Sequence, residues 1–203
     1  VNPKTGKTKT TDQVMVLDTE IMLWYPPTVS GDVPSGRSGH TATILPQTNE
    51  LVVFGGVKGS KWLNSVSVLD TLRWVWRTPK IQGSAPQPRS YHTVTTRSGS
   101  RIVIFGGNDA TTSFGSLHVL ESSGEKWQWS NIQASGDSPS SRTGHSATVL
   151  ADKKTICVYG GWDPNADDEE TQNAMDDSDM IFDETFLLDT EKWVWTKGPP
   201  AVH

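Results

Sequence analysis

Apolar residues recur along the chain in short dense runs separated by Gly-, Pro- and Ser-rich intervals. LVVF at 51–54, IVIF at 102–105 and ICVY at 156–159 are apolar at every position, as strands covered on both faces are. WVW at 74–76, WQW at 127–129 and WVW at 193–195 alternate instead, which predicts strands with one buried and one wetter face. Between these lie SVSVLD ending at Asp70, LHVLE ending at Glu121 and FLLD ending at Asp189. A fourth segment precedes each group: RSGHTATIL from Arg37, RSYHTVTT from Arg89 and RTGHSATVL from Arg142. Gly (18) and Pro (12) supply the turns that so many short strands require.

The groups are an internal repeat. Arg37, Arg89 and Arg142 lie 52 and 53 residues apart, and the last Trp of one unit precedes the next Arg by thirteen residues each time (24 to 37, 76 to 89, 129 to 142). Each apolar tetrad ends in a glycine pair: Gly55-Gly56, Gly106-Gly107 and Gly160-Gly161. Such pairs permit backbone angles or close approaches that a side chain would block. Asp70-Thr71 and Asp189-Thr190 suit tight turns. VMVLDTEIMLW at 14–24 supplies half a unit, Asp18 matching Asp70 and Trp24 matching Trp76. A period near fifty with four strand candidates per period predicts small antiparallel sheets stacked as blades around an axis.

The order R-x-G-H, apolar tetrad with Gly-Gly, acid-ended strand and spaced tryptophans resembles the kelch repeat over about residues 14–198. The resemblance implies an all-β, kelch-type β-propeller, a partial ring of four-stranded antiparallel blades whose strands run from innermost to outermost in chain order. The whole of 1–203 is then one propeller segment. Residues 1–36 end one blade and connect it; 37–88, 89–141 and 142–203 are blades, the last with an acidic insertion at about 163–184. Three and a half units are fewer than the four to eight blades that close a propeller. Further blades are therefore expected outside this segment, closure through a second copy being the alternative. Kelch domains mostly recognise proteins, so the resemblance implies a non-catalytic interaction scaffold or adaptor binding a protein or peptide through the loops of one face. A substrate-recognition propeller of a ubiquitin ligase and a metal-dependent or sugar-directed propeller enzyme are the alternatives.

Charge adds one feature. The net charge is −5, yet ten of the 23 acids fall in DPNADDEETQNAMDDSDMIFDE at 163–184, which has no Lys or Arg. The rest carries 13 acids against 18 Lys and Arg, a balance of +5. Neither sign argues for nucleic acid or a membrane. The single Cys157 makes no intrachain disulfide, no Asn-x-Ser/Thr acceptor occurs, and no signal or spanning pattern is present. Together these predict a cytoplasmic protein, with the nucleus also compatible.

Candidate residues follow from what recurs and what does not. His40, His92 and His145 appear once per unit, on separate blades, so they are read as structural, with the glycine pairs and with Trp76, Trp129 and Trp195. Arg37, Arg89 and Arg142 share that period; they either brace the fold or, as in some kelch domains, face a ligand, where a guanidinium suits a carboxylate. The loops after the glycine pairs differ most: VKGSKWLNS, NDATTSFGS and the acidic stretch. Trp62 and Phe114 stand six and seven residues beyond their glycine pairs, as partner anchors or as side chains folded onto their own blades. Lys58, Lys61 and Asp109 add charge, and Trp162 with Asp163 opens the third loop. Gly56 to Asp70 and Gly107 to Glu121 each span fourteen residues but Gly161 to Asp189 spans twenty-eight, so the acidic stretch is a loop insertion. Its Asp167, Asp168, Glu169, Glu170, Asp176, Asp177 and Asp179 lack the order of an EF-hand loop and are read as a solvated loop or a docking element for a basic partner. No catalytic constellation, metal set or cofactor motif is recognised. Cys157 and Tyr159 sit inside an apolar strand, and GKT at 6–8 lacks the first glycine of a phosphate loop.

Overall fold

The computed structural model describes residues 10–97, 99–164 and 181–199, and the described residues form strands and turns without a helix. A short antiparallel hairpin comes first, β1 (Val16–Asp18) with β2 (Leu23–Tyr25), Leu17 facing Trp24. Three sheets of one plan follow. The first contains β3 (Ser30–Gly31), β4 (Thr41–Leu45), β5 (Glu50–Phe54), β8 (Val66–Asp70) and β9 (Val75–Arg77). A small hairpin, β6 (Val57–Lys58) with β7 (Lys61–Trp62), projects from its β5–β8 loop. The second contains β10 (Ile81–Gln82), β11 (Thr93–Arg97), β12 (Arg101–Phe105), β13 (Leu117–Ser123) and β14 (Lys126–Ile132). The third contains β15 (Ser135–Gly136), β16 (Ser146–Val149), β17 (Thr155–Tyr159), β18 (Thr185–Asp189) and β19 (Val194–Lys197).

The four antiparallel strands of each blade are those the sequence predicts, in the order β4-β5-β8-β9 and its equivalents. A fifth strand was not foreseen. β3, β10 and β15 each run parallel along the outer edge of a blade, at β9, β14 and β19, before the chain crosses to the innermost strand. The contact is close enough to demand glycine. A Cβ at Gly83 would lie 2.5 Å from the Trp129 carbonyl oxygen, and Gly31 and Gly136 meet Trp76 and Trp195 in the same way.

The apolar tetrads of the first two blades are covered on both faces, as their pattern implies. In the third, Ile156 and Val158 are buried but Cys157 is half-buried and Tyr159 exposed, on the face that no described blade covers. Val52 and Phe54 pack toward the second blade with Ile102, Ile104, Leu120, Trp127 and Trp129. Val103 and Phe105, on the opposite face of β12, pack toward the third blade with Ile156, Val158, Leu188 and Trp195. The second tryptophan of each pair seals a boundary: Trp129 lies 5.3 Å from Phe54, and Trp195 lies 5.3 Å from Phe105, centroid to centroid. Burying such side chains contributes about 1.5–3 kcal/mol each, which makes the interfaces between blades the principal core. β4, β11 and β16 lie side by side at the inner edge, and a 2.7 Å hydrogen bond between the Thr43 and Thr96 hydroxyls joins β4 to β11. The described part is an arc of a propeller.

Candidate functional site

The entry to each innermost strand and the exit from the tetrad strand lie together at one end of the blades. Ser38 pairs with Val57, Ser90 with Asn108, and Thr143 with Trp162. A repeated framework holds this face. The first glycine of the first two pairs admits the histidine of the next blade: a Cβ on Gly55 would stand 2.8 Å from His92 Cε1, and one on Gly106 2.5 Å from His145 Cε1. The second glycine admits its own blade's strand entry, Gly107 approaching the Ser90 carbonyl oxygen and His92 Cβ. The admitted rings bond across the boundary, His92 Nε2 at 2.7 Å from Thr41 Oγ1 and His145 Nε2 at 2.8 Å from Thr93 Oγ1. Burial, with the nearby charge of Arg89 or Arg142, lowers these imidazoles to about 3 and about 4, so both are neutral at pH 7.

The arginines belong to the same framework. Arg89 donates from Nε to the Gln87 carbonyl, from Nη1 to the Gly106 carbonyl at 2.9 Å and from Nη2 to Ser116 Oγ. Arg142 does likewise to Ser140, to the Gly160 carbonyl at 3.1 Å and to Glu184. Each guanidinium stacks 4.3 Å above a ring of its own blade, Phe114 or Phe182. With side chains 1% and 0% exposed, Arg89 and Arg142 are closed in by glycine carbonyls and aromatic rings. That burial argues against the partner contact allowed for them from sequence. Arg37 is half-buried and donates to Ser35, Gly55 and Ser65.

The loop aromatics are in a register different from the one counted from sequence. Leu63, Phe114 and Phe182 are equivalent, since each donates its N–H to the second glycine of its pair: Gly56, Gly107 and Gly161. Phe114 is 6% exposed and serves as the platform of Arg89, so it is no loop-tip anchor. Trp62 corresponds to Ser113 and Ile181, the residues that pair with Val57, Asn108 and Trp162. It is half-buried and donates from Nε1 to Ser90 Oγ at 3.1 Å, across the blade boundary. Asp109 Oδ1 accepts from the Thr111 and Thr112 amides at 2.9 Å, shaping its own loop. Lys58 and Lys61 are exposed.

Among the described residues, exposed apolar area on this face includes Tyr91 (55%), Trp162 (46%) and Ile181 (66%). Asp163 beside them is half-buried. Sequence reasoning named Trp162 but missed Ile181 and Tyr91. The signal for Tyr91 was present: RSYH stands where the other units have RSGH and RTGH. Those glycines have φ of 62° and 64°, and Tyr91 adopts 54°. The three residues are linked by main chain, Tyr91 N–H donating to the Gly39 carbonyl and Gly144 N–H to the Tyr91 carbonyl, at 2.9 and 3.0 Å. Asp167, Asp168, Glu169, Glu170, Asp176, Asp177 and Asp179 lie outside the described residues. Among the described residues no three His, Cys, Asp or Glu side chains are grouped as metal ligands.

Comparison with known proteins agrees with this geometry. The model of the KLHDC2/KLHL20/DRC7 Kelch-repeats domain matches residues 3–202. Acyl-CoA-binding domain-containing protein 5 of Arabidopsis thaliana is 33% identical over 73% of this chain and 22% of its own length. Adagio protein 3 of the same plant is 37% identical over 73% of this chain and 24% of its own. Host cell factor of Drosophila melanogaster is 26% identical over 92% of this chain and 13% of its own. The chain thus spans a quarter or less of each of these relatives. Kelch-repeat domains are in general modules that bind protein partners. Repeated motifs, blade geometry and a family model spanning nearly every residue lead to one assignment: this chain belongs to the kelch-repeat β-propeller family.

Proposed function

We propose that the chain is a non-catalytic interaction module that binds a protein or peptide partner through the face carrying the loops after the glycine pairs. The observation that carries this reading is the contrast on that face. Arg89, Arg142, His92, His145 and the glycine pairs beside them are consumed by the fold, with the equivalent His40 exposed at the first blade, whereas Tyr91, Trp162 and Ile181 present apolar surface that the framework does not use. Apolar area held by a rigid, hydrogen-bonded scaffold is how binding surfaces on loops are built.

The test compares the two ends of the blades. Trp162→Ala and Lys61→Glu alter this face; Arg73→Glu alters the opposite end, where the Arg73 side chain is 82% exposed. Partners cross-linked to the wild-type chain should be lost from the first two variants and kept by the third. Loss through Arg73→Glu alone would reject this face. A second reading, a basic partner at the acidic stretch 163–184, is supported by its ten carboxylates and the absence of Lys and Arg from its sequence. Of these carboxylates, Glu184 is already paired with Arg142 and Lys197. The reading predicts binding that weakens steeply between low and moderate salt, and salt-insensitive binding rejects it.

A further inference from the structure

Each blade delivers an aromatic ring to the interaction face, and each does so from a different place in its repeat. The first uses Trp62, in the strand after the loop tip; the second uses Tyr91, at the entry to its innermost strand; the third uses Trp162, directly after its glycine pair. The repeat does not dictate these rings, because none occupies equivalent positions in two blades. Space is traded to seat them. A Cβ at Gly144 would lie 3.1 Å from Trp162 Nε1, so glycine there makes room for the tryptophan. The Tyr91 ring in turn lies against Gly39, 3.3 Å from where that residue's Cβ would be.

Tyr91 also departs from what its backbone prefers. A bulky residue at φ 54° is strained where glycine is not. Left-handed non-glycine residues recur at Met22, Trp74 and Trp193, but those are equivalent positions of one recurring turn. Tyr91 instead replaces the glycine used by both neighbouring blades, and the residue is more than half exposed. A strained, exposed aromatic held in place by main-chain bonds on both sides is retained for something other than stability.

Resting on the reading of this face as the binding surface, we propose that Tyr91 is its specificity-determining residue. The occupant is an extended peptide segment of a partner protein. It seats apolar side chains against Tyr91 and the Trp162–Ile181 pair and carries an acidic residue at the end over the first blade. The acid follows from charge: Lys58 and Lys61 are exposed there, and no ion pair with another described residue involves them.

The experiment is selection of a displayed library of random linear peptides on the intact chain, followed by titration of the enriched peptides against variants. Enriched peptides should combine apolar residues with a terminal acid. They should bind Tyr91→Gly at least about tenfold more weakly, a loss typical of an anchoring aromatic. The same variant should melt no lower than wild type, and with the strain relieved it should gain about 2–4 °C. Lys58→Glu/Lys61→Glu should weaken only the acid-bearing peptides. Undiminished binding to Tyr91→Gly, or a lowered melting temperature, overturns the assignment of Tyr91. If Trp162→Ala still abolishes binding in that case, the face itself stands. Absence of enrichment, indifference to all these variants, or preference for a single-stranded oligonucleotide over peptides overturns the proposal together with the reading beneath it.

Discussion

Lowering the pH from 7 to 5 should loosen the seams between blades through two histidines. His92 and His145 are 4% and 6% exposed and bonded to Thr41 and Thr93 of the preceding blade. Burial and then a neighbouring arginine hold their folded pKa at about 3 and about 4, against about 6.5 for an unfolded histidine. Below about pH 6.5 the unfolded chain therefore takes up protons that the fold refuses. Stability is full above that pH and falls as the pH drops toward 4. Each histidine withdraws about 1.4 kcal/mol per pH unit in this window, or about 2 kcal/mol at pH 5 and about 4 kcal/mol for the pair. That is a large share of the 5–15 kcal/mol typical of a domain. His118, lowered to about 4 chiefly by burial inside the second blade, adds a similar slope. The carboxylates held low, Asp152 at about 2 with Asp70 and Asp189, release their stabilisation only below about pH 4. Urea unfolding at pH 7, 6 and 5, followed by tryptophan fluorescence, measures the slope. His92→Gln/His145→Gln, which keeps a polar partner for each threonine but cannot ionise, should remove about 4 kcal/mol of the pH 5 loss. A wild-type slope in that variant, or no slope in wild type, would refute the account.

Gly106→Ala should cost more than about 2 kcal/mol, because the new Cβ meets His145 and the Arg142 carbonyl at a φ of 67°; chemical denaturation reads this. Arg142→Ala should cost about 1–3 kcal/mol, since it leaves the buried Gly160 carbonyl without its side-chain donor while Glu184 keeps Lys197; soluble yield and melting temperature should fall together. Phe114→Leu should lower stability by about 1 kcal/mol through the lost Arg89 stack while leaving partner affinity unchanged in a titration, which separates a platform from an anchor. Trp195→Ala should cost about 3–5 kcal/mol by opening the boundary at Phe105, and the emission it removes should be that of a buried, blue-shifted indole.

The architecture was legible because the blade interfaces write themselves into the sequence at fixed spacing. Tetrads buried on both sides must be apolar throughout, and glycines that admit a histidine ring cannot carry a side chain. The arginine role was ambiguous for a physical reason: a guanidinium that caps carbonyls and one that faces a ligand need the same residue at the same period. Only burial and partners separate them. The pairing of Trp62 with Phe114 failed by one residue. Leu63 and Phe114 both stand seven residues past their glycine pair, so the equal count, not the shared aromaticity, marked the true correspondence. Tyr91 was visible as a break in R-x-G-H, but its meaning needed the left-handed backbone at that position. The outer strands β3, β10 and β15 were invisible because two residues leave no periodicity to read.

Those outer strands have a consequence for where the protein can be divided. The sequence motif begins at Arg37, Arg89 or Arg142, yet each blade takes its outermost strand from residues that precede that arginine. A gene fragment cut at the motif boundary would yield a blade with a bare outer edge, an open template for pairing with other chains. A transferable cassette therefore runs from just before one outer strand to just before the next, for instance from about residue 29 to about residue 80. Insertions, permuted termini and swapped blades should respect that frame, because the repeat as the sequence writes it is offset from the unit that folds.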